Sequence, residues 1–146
     1  MKFPRFGSSK PAAVAAPLVD QGPPGATVVL LVDDEPAVRN LFALALRREG
    51  YHVLEAGNGV EALAVASHLH HLDLVVTDVV MPVMKGPEFA AKLRERLPDM
   101  KFIFVSAYLL TDDLGPNAYP LAKPFMRQAL VKKVCDVVGP PAAIST

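Results

Sequence analysis

The sequence predicts an α/β fold, with a parallel sheet of five strands and helices on both of its faces. Three observations point to it. Short, valine-rich apolar runs alternate with stretches of helical period through the middle of the chain. The runs are continuous rather than alternating, as in strands buried on both faces. Acidic, hydroxyl and basic residues recur at the carboxyl ends of the runs, where open α/β sheets place their ligands.

Val28-Val-Leu-Leu-Val32 is the first strand. Pro36 stands where a helix begins, because a first-turn proline gives up no useful hydrogen bond. Val38, Leu41, Phe42 and Ala45 follow as its apolar side, with Arg39, Asn40, Arg47 and Arg48 opposite, and Gly50 ends it. Tyr51–Glu55 is a second, shorter strand. The turn Gly57-Asn-Gly59 leads into a helix from Glu61 to His70, with Ala62, Leu63 and Ala66 inward. Leu72–Thr77 is the third strand. A helix from Pro87 to Leu97 presents Phe89, Ala90, Leu93 and Leu97 on one face. Phe102–Val105 is the fourth strand and Tyr119–Ala122 a short fifth. Arg127–Val138 closes the domain as a helix with Leu130, Val131, Val134 and Val137 toward the core. Right-handed crossovers between such strands give a doubly wound sheet, flavodoxin-like, in the order 2-1-3-4-5.

Residues 27–138 are thus expected to form one domain, which suits a chain of 146 residues. Residues 1–26 hold five prolines, are rich in alanine and lack an apolar period; they read as a flexible tail or linker. Residues 139–146 read as a second loose end. The stretch from Pro11 to Val19 is Ala-rich and broken by Pro17, which argues against a signal peptide. No apolar run nears the about 20 residues that cross a bilayer. Fifteen basic side chains balance fifteen acidic ones, which speaks against a nucleic-acid binder. The single cysteine, Cys135, excludes an internal disulfide and fits a reducing, cytoplasmic setting.

The first strand ends in Asp33-Asp34 followed by Glu35, the third in Asp78, the fourth in Ser106 and the fifth in Lys123. Three carboxylates, one hydroxyl and one ammonium therefore converge on one sheet edge. Converging carboxylates repel unless a cation joins them, and an all-oxygen set with water favours Mg²⁺. Such a site suits phosphoryl transfer, in which Mg²⁺, the Ser106 hydroxyl and the Lys123 ammonium can each take one phosphoryl oxygen. A carboxylate nucleophile yields a labile acyl phosphate, fit for a reversible switch. Singly, each residue has an ordinary reading: Asp33 or Asp34 as a helix cap, Asp78 as a turn former, Lys123 as a surface lysine. Their shared edge is what sets those readings aside.

The stretch Asp78-Val-Val-Met81-Pro82-Val-Met84-Lys-Gly86 resembles the D-x-x-M-P-x-M-x-G signature of response-regulator receivers. Val32-Asp-Asp-Glu-Pro36, Gly59-Val-Glu-Ala-Leu63, Phe104-Val-Ser-Ala107 and Leu121-Ala-Lys-Pro-Phe125 resemble their other motifs, so that the likeness runs from about Val28 to Val138. The flavour is similar to receivers at the C-terminal end of hybrid histidine kinases. The resemblance implies that Asp78 is the phosphoacceptor, with Asp34 a direct Mg²⁺ ligand, Asp33 a ligand through water and the Val80 backbone carbonyl a further one. Ser106 and Lys123 would hold the phosphoryl oxygens. It implies a signalling module that catalyses only its own phosphorylation and dephosphorylation. Its phosphodonor would be a histidine kinase or histidine phosphotransfer protein, and its output a protein partner or phosphate relay, from a monomer or weak dimer.

Two departures stand out. Only sixteen residues separate Ser106 from Lys123, and they include Gly115-Pro116 and Pro120, so the helix the family places there is expected to be short or absent. The aromatic switch position three before the lysine is Pro120, with Tyr119 beside it. Partner choice is expected to fall to the 106–123 face, through Tyr108, Leu109, Leu110 and Tyr119. Other Asp-based classes fit less well. A haloacid-dehalogenase-type phosphatase needs an acid where Val80 stands. A flavoprotein would want a Ser/Thr/Gly-rich phosphate loop after the first strand, where Asp33-Asp-Glu-Pro36 would repel a flavin phosphate. A docking-only pseudo-receiver need not keep the full acid, hydroxyl and lysine set.

Overall fold

The computed structural model describes residues 19–107 and 114–142. Its strands are β1 (Val28–Val32), β2 (His52–Ala56), β3 (Leu74–Asp78), β4 (Phe102–Ser106) and β5 (Ala118–Ala122). The helices among the described residues are α1 (Pro36–Glu49), α2 (Gly59–Ser67), α3 (Gly86–Arg94) and α4 (Arg127–Val138). All strand pairs are parallel and the sheet order is β2-β1-β3-β4-β5, the doubly wound arrangement the sequence predicts. Proline in β5 is tolerated because β5 is an edge strand, where Pro120 takes a place that an inner strand would deny it.

Every residue of β1, β3 and β4 is buried, which is why these strands read as continuous apolar runs up to the polar residues that end β3 and β4. Side chains alternate between two cores. Leu30, Val32 and Val75 join Phe89, Ala90 and Leu93 of α3 and Ala62 and Ala66 of α2. Val29, Leu31 and Ile103 join Ala43 and Leu46 of α1 and Leu130 and Val134 of α4.

Several expectations shift. In α1 the buried line is Ala43 and Leu46, whereas Leu41 is exposed, because the sheet meets the helix along one narrow stripe and Leu41 lies off it. Leu97 falls past the end of α3, off the face that the helix buries, and is exposed. The second strand and second helix begin at His52 and Gly59 rather than at Tyr51 and Glu61. Residues 19–26 were expected as tail, yet Gln21 holds the loop after α2: its amide donates to the His68 carbonyl (2.7 Å) and accepts from the His70 N–H (2.8 Å). Beyond α4, Tyr51 donates to the Gly139 carbonyl (2.8 Å) and the Ala142 N–H reaches Thr27 Oγ1 (3.1 Å), so the loose end expected from residue 139 is tied down at least this far. The stretch where the fourth helix is expected to be short or absent, with Tyr108, Leu109 and Leu110, lies outside the described residues. Tyr119 is half-buried against the core that contains Leu130.

Candidate phosphoryl-transfer site

The sheet register brings the predicted residues together. β1 ends at Val32 beside Thr77 of β3, and Asp78 at the end of β3 pairs with Val105 of β4. Asp33 therefore follows β1 next to Asp78 at the end of β3, and Ser106 and Ala122 are register partners, which sets Lys123 one residue past the end of β5. The Lys123 N–H donates to the Ser106 carbonyl (2.7 Å), continuing the ladder into the site.

Asp33, Asp78 and Ser106 are 5%, 6% and 4% exposed, so two carboxylates stand almost out of contact with water. Asp34 is exposed beside them. One carboxylate oxygen from each of Asp33, Asp34 and Asp78 lies within 4.8 Å of the others. The Lys123 ammonium sits 3.0 Å from Asp78 Oδ1. Burial, and then the charge of Asp33, push the Asp78 carboxyl up to about 6, even though the Lys123 bond pulls the other way. For Lys123 burial opposes the charge, but the hydrogen bond and charge of Asp78, with Asp33 and Glu35 behind, raise its pKa.

Neither Asp33 nor Asp34 caps α1: the N-cap is Glu35, which makes no side-chain cap bond. Asp33 Oδ1 instead accepts the Glu35 N–H at 2.9 Å, a local turn that fixes the carboxylate. Asp78 is held through its main chain. The Thr77 hydroxyl donates to its carbonyl (3.0 Å), and Gly86 packs so closely there that a Cβ would run into that carbonyl oxygen. This close approach is why glycine opens α3. Between them the loop makes a tight γ-turn: the Met84 N–H donates to the Pro82 carbonyl (2.8 Å) with Val83 at φ 73°, an uncommon conformation for a β-branched residue. Val80 lies in the same loop, largely exposed.

The donor set fits a hard divalent cation. It is all oxygen, it gathers three carboxylates against one ammonium, and burial together with the Asp33 charge opposes ionisation of the acid at its centre. Sequence reasoning missed one residue of this neighbourhood. Arg39, placed on the polar side of α1, is only 20% exposed and donates to the Asp33 carbonyl at 2.7 Å. The signal available was its position one turn into the helix, close enough to fold back over the acidic turn.

Comparisons with known proteins bear on this geometry. Residues 29–135 match the family model for the response regulator receiver domain. The sensor kinase CckA of Brucella abortus is 43% identical over 122 residues, 78% of this chain but only 13% of the kinase. The response regulator receiver protein CpdR of the same organism is 32% identical over 111 residues, 73% of this chain and 92% of that protein. Among solved structures, the receiver domain of the hybrid histidine kinase CckA superposes with a TM-score of 0.68 at 36% identity, covering 76% of this chain and 98% of that one. The response regulator TrrA of Thermotoga maritima, solved with Mg²⁺ and BeF, gives 0.69 at 35% identity over the same shares. The chain belongs to the response regulator receiver domain family, the phosphoaccepting signalling modules of two-component systems.

Proposed function

We propose that Asp78 is the residue phosphorylated, and that a histidine kinase or histidine phosphotransfer protein is the donor. The observation behind this reading is the placement of Asp78: a nearly buried carboxylate with the Lys123 ammonium at 3.0 Å and two further carboxylates alongside. An Asp78 carboxylate oxygen attacks phosphorus, the new O–P bond replaces the P–N bond of a phosphohistidine, and the histidine leaves with its electron pair. Lys123 is placed to neutralise the incoming phosphoryl, and the Ser106 hydroxyl, at the adjoining strand end, to donate to another of its oxygens. Asp33, Asp34, Asp78 and the Val80 carbonyl would hold Mg²⁺. When bound, the ion would supply positive charge between the carboxylates and the phosphoryl oxygens. The site lies outside the ends of the strands, so a macromolecular donor can reach it without unfolding the domain. We place the protein in the cytoplasm as a monomer or weak dimer, bound to neither membrane nor nucleic acid, with output through a protein partner at the 106–123 face or onward phosphate relay.

Intact mass after incubation with acetyl phosphate tests this. With Mg²⁺ the protein should gain one phosphoryl group; with a chelator, or as Asp78→Asn, it should gain none. Phosphorylation of Asp78→Asn at the wild-type rate would remove the assignment.

A further inference from the structure

We infer that Arg39 is a positioning residue for the acidic turn: its guanidinium fixes the Asp33 backbone and so sets where the Asp33 and Asp34 carboxylates stand. The inference rests on the Mg²⁺ reading above.

Arg39 lies one turn into α1, and its side chain folds back beneath the turn rather than out to water. One terminal nitrogen donates to the Asp33 carbonyl at 2.7 Å, and Nε donates to Glu55 Oε1 at 3.2 Å. Glu55 is itself braced, since its Oε2 meets Arg47 at 3.1 Å, and Arg47 also donates to the Val53 carbonyl at 2.8 Å. The β2–α2 turn completes the seat. A Cβ on Gly57 would stand 3.4 Å from the Arg39 terminal nitrogen and 3.2 Å from Glu61 Oε1, which already accepts the Gly57 N–H. The guanidinium is thus a rigid fork between the turn after β1, the last residues of β2 and the turn that follows.

The consequence falls on the acids. The Asp33 N–H donates to the Ala56 carbonyl at 3.1 Å, so β2 holds one side of the residue and Arg39 the other. The Asp33 carbonyl belongs to the peptide plane that includes the Asp34 nitrogen, and fixing that plane restricts how Asp34, exposed and little packed, can turn. A surface ion pair between α1 and β2 would need only the Glu55 contact; the shorter bond to the Asp33 carbonyl is the one that bears on the site.

The test is Mg²⁺ titration of Arg39→Ala, Arg39→Lys, Glu55→Gln and Asp34→Asn, followed by amide NMR so that folding and binding are read together. Arg39→Ala should weaken Mg²⁺ binding about tenfold, the lower end for residues that orient metal ligands. Without metal it should also lose exchange protection at the Glu35 amide. Its phosphorylation by acetyl phosphate should return to the wild-type rate once Mg²⁺ is saturating. Arg39→Lys keeps the charge but not the fork, so it should rescue only part of the affinity. Glu55→Gln leaves the Asp33 bond in place and should bind Mg²⁺ within about twofold of wild type, since it disturbs only a partly exposed ion pair. Wild-type affinity in Arg39→Ala, with Asp34→Asn impaired, would overturn the inference while leaving the metal site intact. Equal losses in Arg39→Ala and Glu55→Gln would reduce Arg39 to an ordinary ion pair. Wild-type affinity in Asp34→Asn would remove the metal reading itself.

Discussion

Replacing Asp78 by Asn should make the metal-free protein more stable at neutral pH, although it removes a partner of Lys123. The folded protein raises Asp78 from 3.8 to about 6, because burial and the Asp33 charge disfavour its ionised form. A shift of about two units at about 1.4 kcal/mol each sets a ceiling of about 3 kcal/mol on the strain of holding that charge at pH 7. Asn fits the space of the neutral acid but donates differently to its neighbours, so about 2 kcal/mol is the expected gain. The sign follows from linkage. Between about pH 4 and 6 the folded state binds a proton that the unfolded state has released, so this group's share of stability falls as pH rises through that window. The advantage of Asp78→Asn should therefore be full at pH 7.5 and shrink toward zero near pH 4. Urea denaturation of both proteins with a chelator, at pH 7.5 and 4.5, measures it. A variant no more stable than wild type at pH 7.5, or a difference that ignores pH, would mean that burial does not strain the Asp78 carboxylate. Mg²⁺ should reverse the order, since only wild type offers the full ligand set.

Three other outcomes follow from the same geometry. Protons compete with Mg²⁺ at Asp78, and with a pKa of about 6 only about a tenth of the carboxylate is ionised at pH 5, so calorimetric titration should find affinity about tenfold weaker there than at pH 7.5. Gly86→Ala drives a Cβ into the Asp78 carbonyl and should lower stability by about 3 kcal/mol in thermal melts, with Mg²⁺ binding damaged in whatever remains folded. Val83→Gly relieves a β-branched residue held at φ 73° whose side chain is exposed, and should stabilise the protein by about 1 kcal/mol in the same assay.

The sheet was legible because β1, β3 and β4 are buried on both faces and so carry apolar runs, VVLLV, LVV and FIFV, with polar residues only at the carboxyl ends of β3 and β4. Once their order is known, Asp33, Asp34, Asp78, Ser106 and Lys123 share an edge by topology alone, and the structure sets one oxygen of each acid within 4.8 Å of the others and the lysine 3.0 Å from Asp78. What periodicity could not supply was the width of the buried stripe on α1. Leu41 and Ala43 are both apolar, and only the angle at which the helix meets the sheet decides that Ala43 is buried. Arg39 was missed for a related reason: a helical wheel puts it among solvated charges, while its long side chain reaches back to a backbone carbonyl that no pattern of side chains records. Residues 19–26 belong to a stretch whose prolines, alanines and lack of apolar period predict a tail. Gln21 nevertheless docks them through backbone groups of the loop at His68 and His70, a contact between distant segments that composition does not encode.

On the proposed reading Asp78 alone takes the phosphoryl group. Borohydride reduces an aspartyl phosphate to homoserine and leaves free carboxylates untouched, so reduction after acetyl phosphate treatment, followed by peptide mass mapping, reads the modified position directly. Homoserine is expected at position 78 and at no other. Homoserine at position 33 or 34, or its absence from a protein that has gained a phosphoryl group, would contradict it.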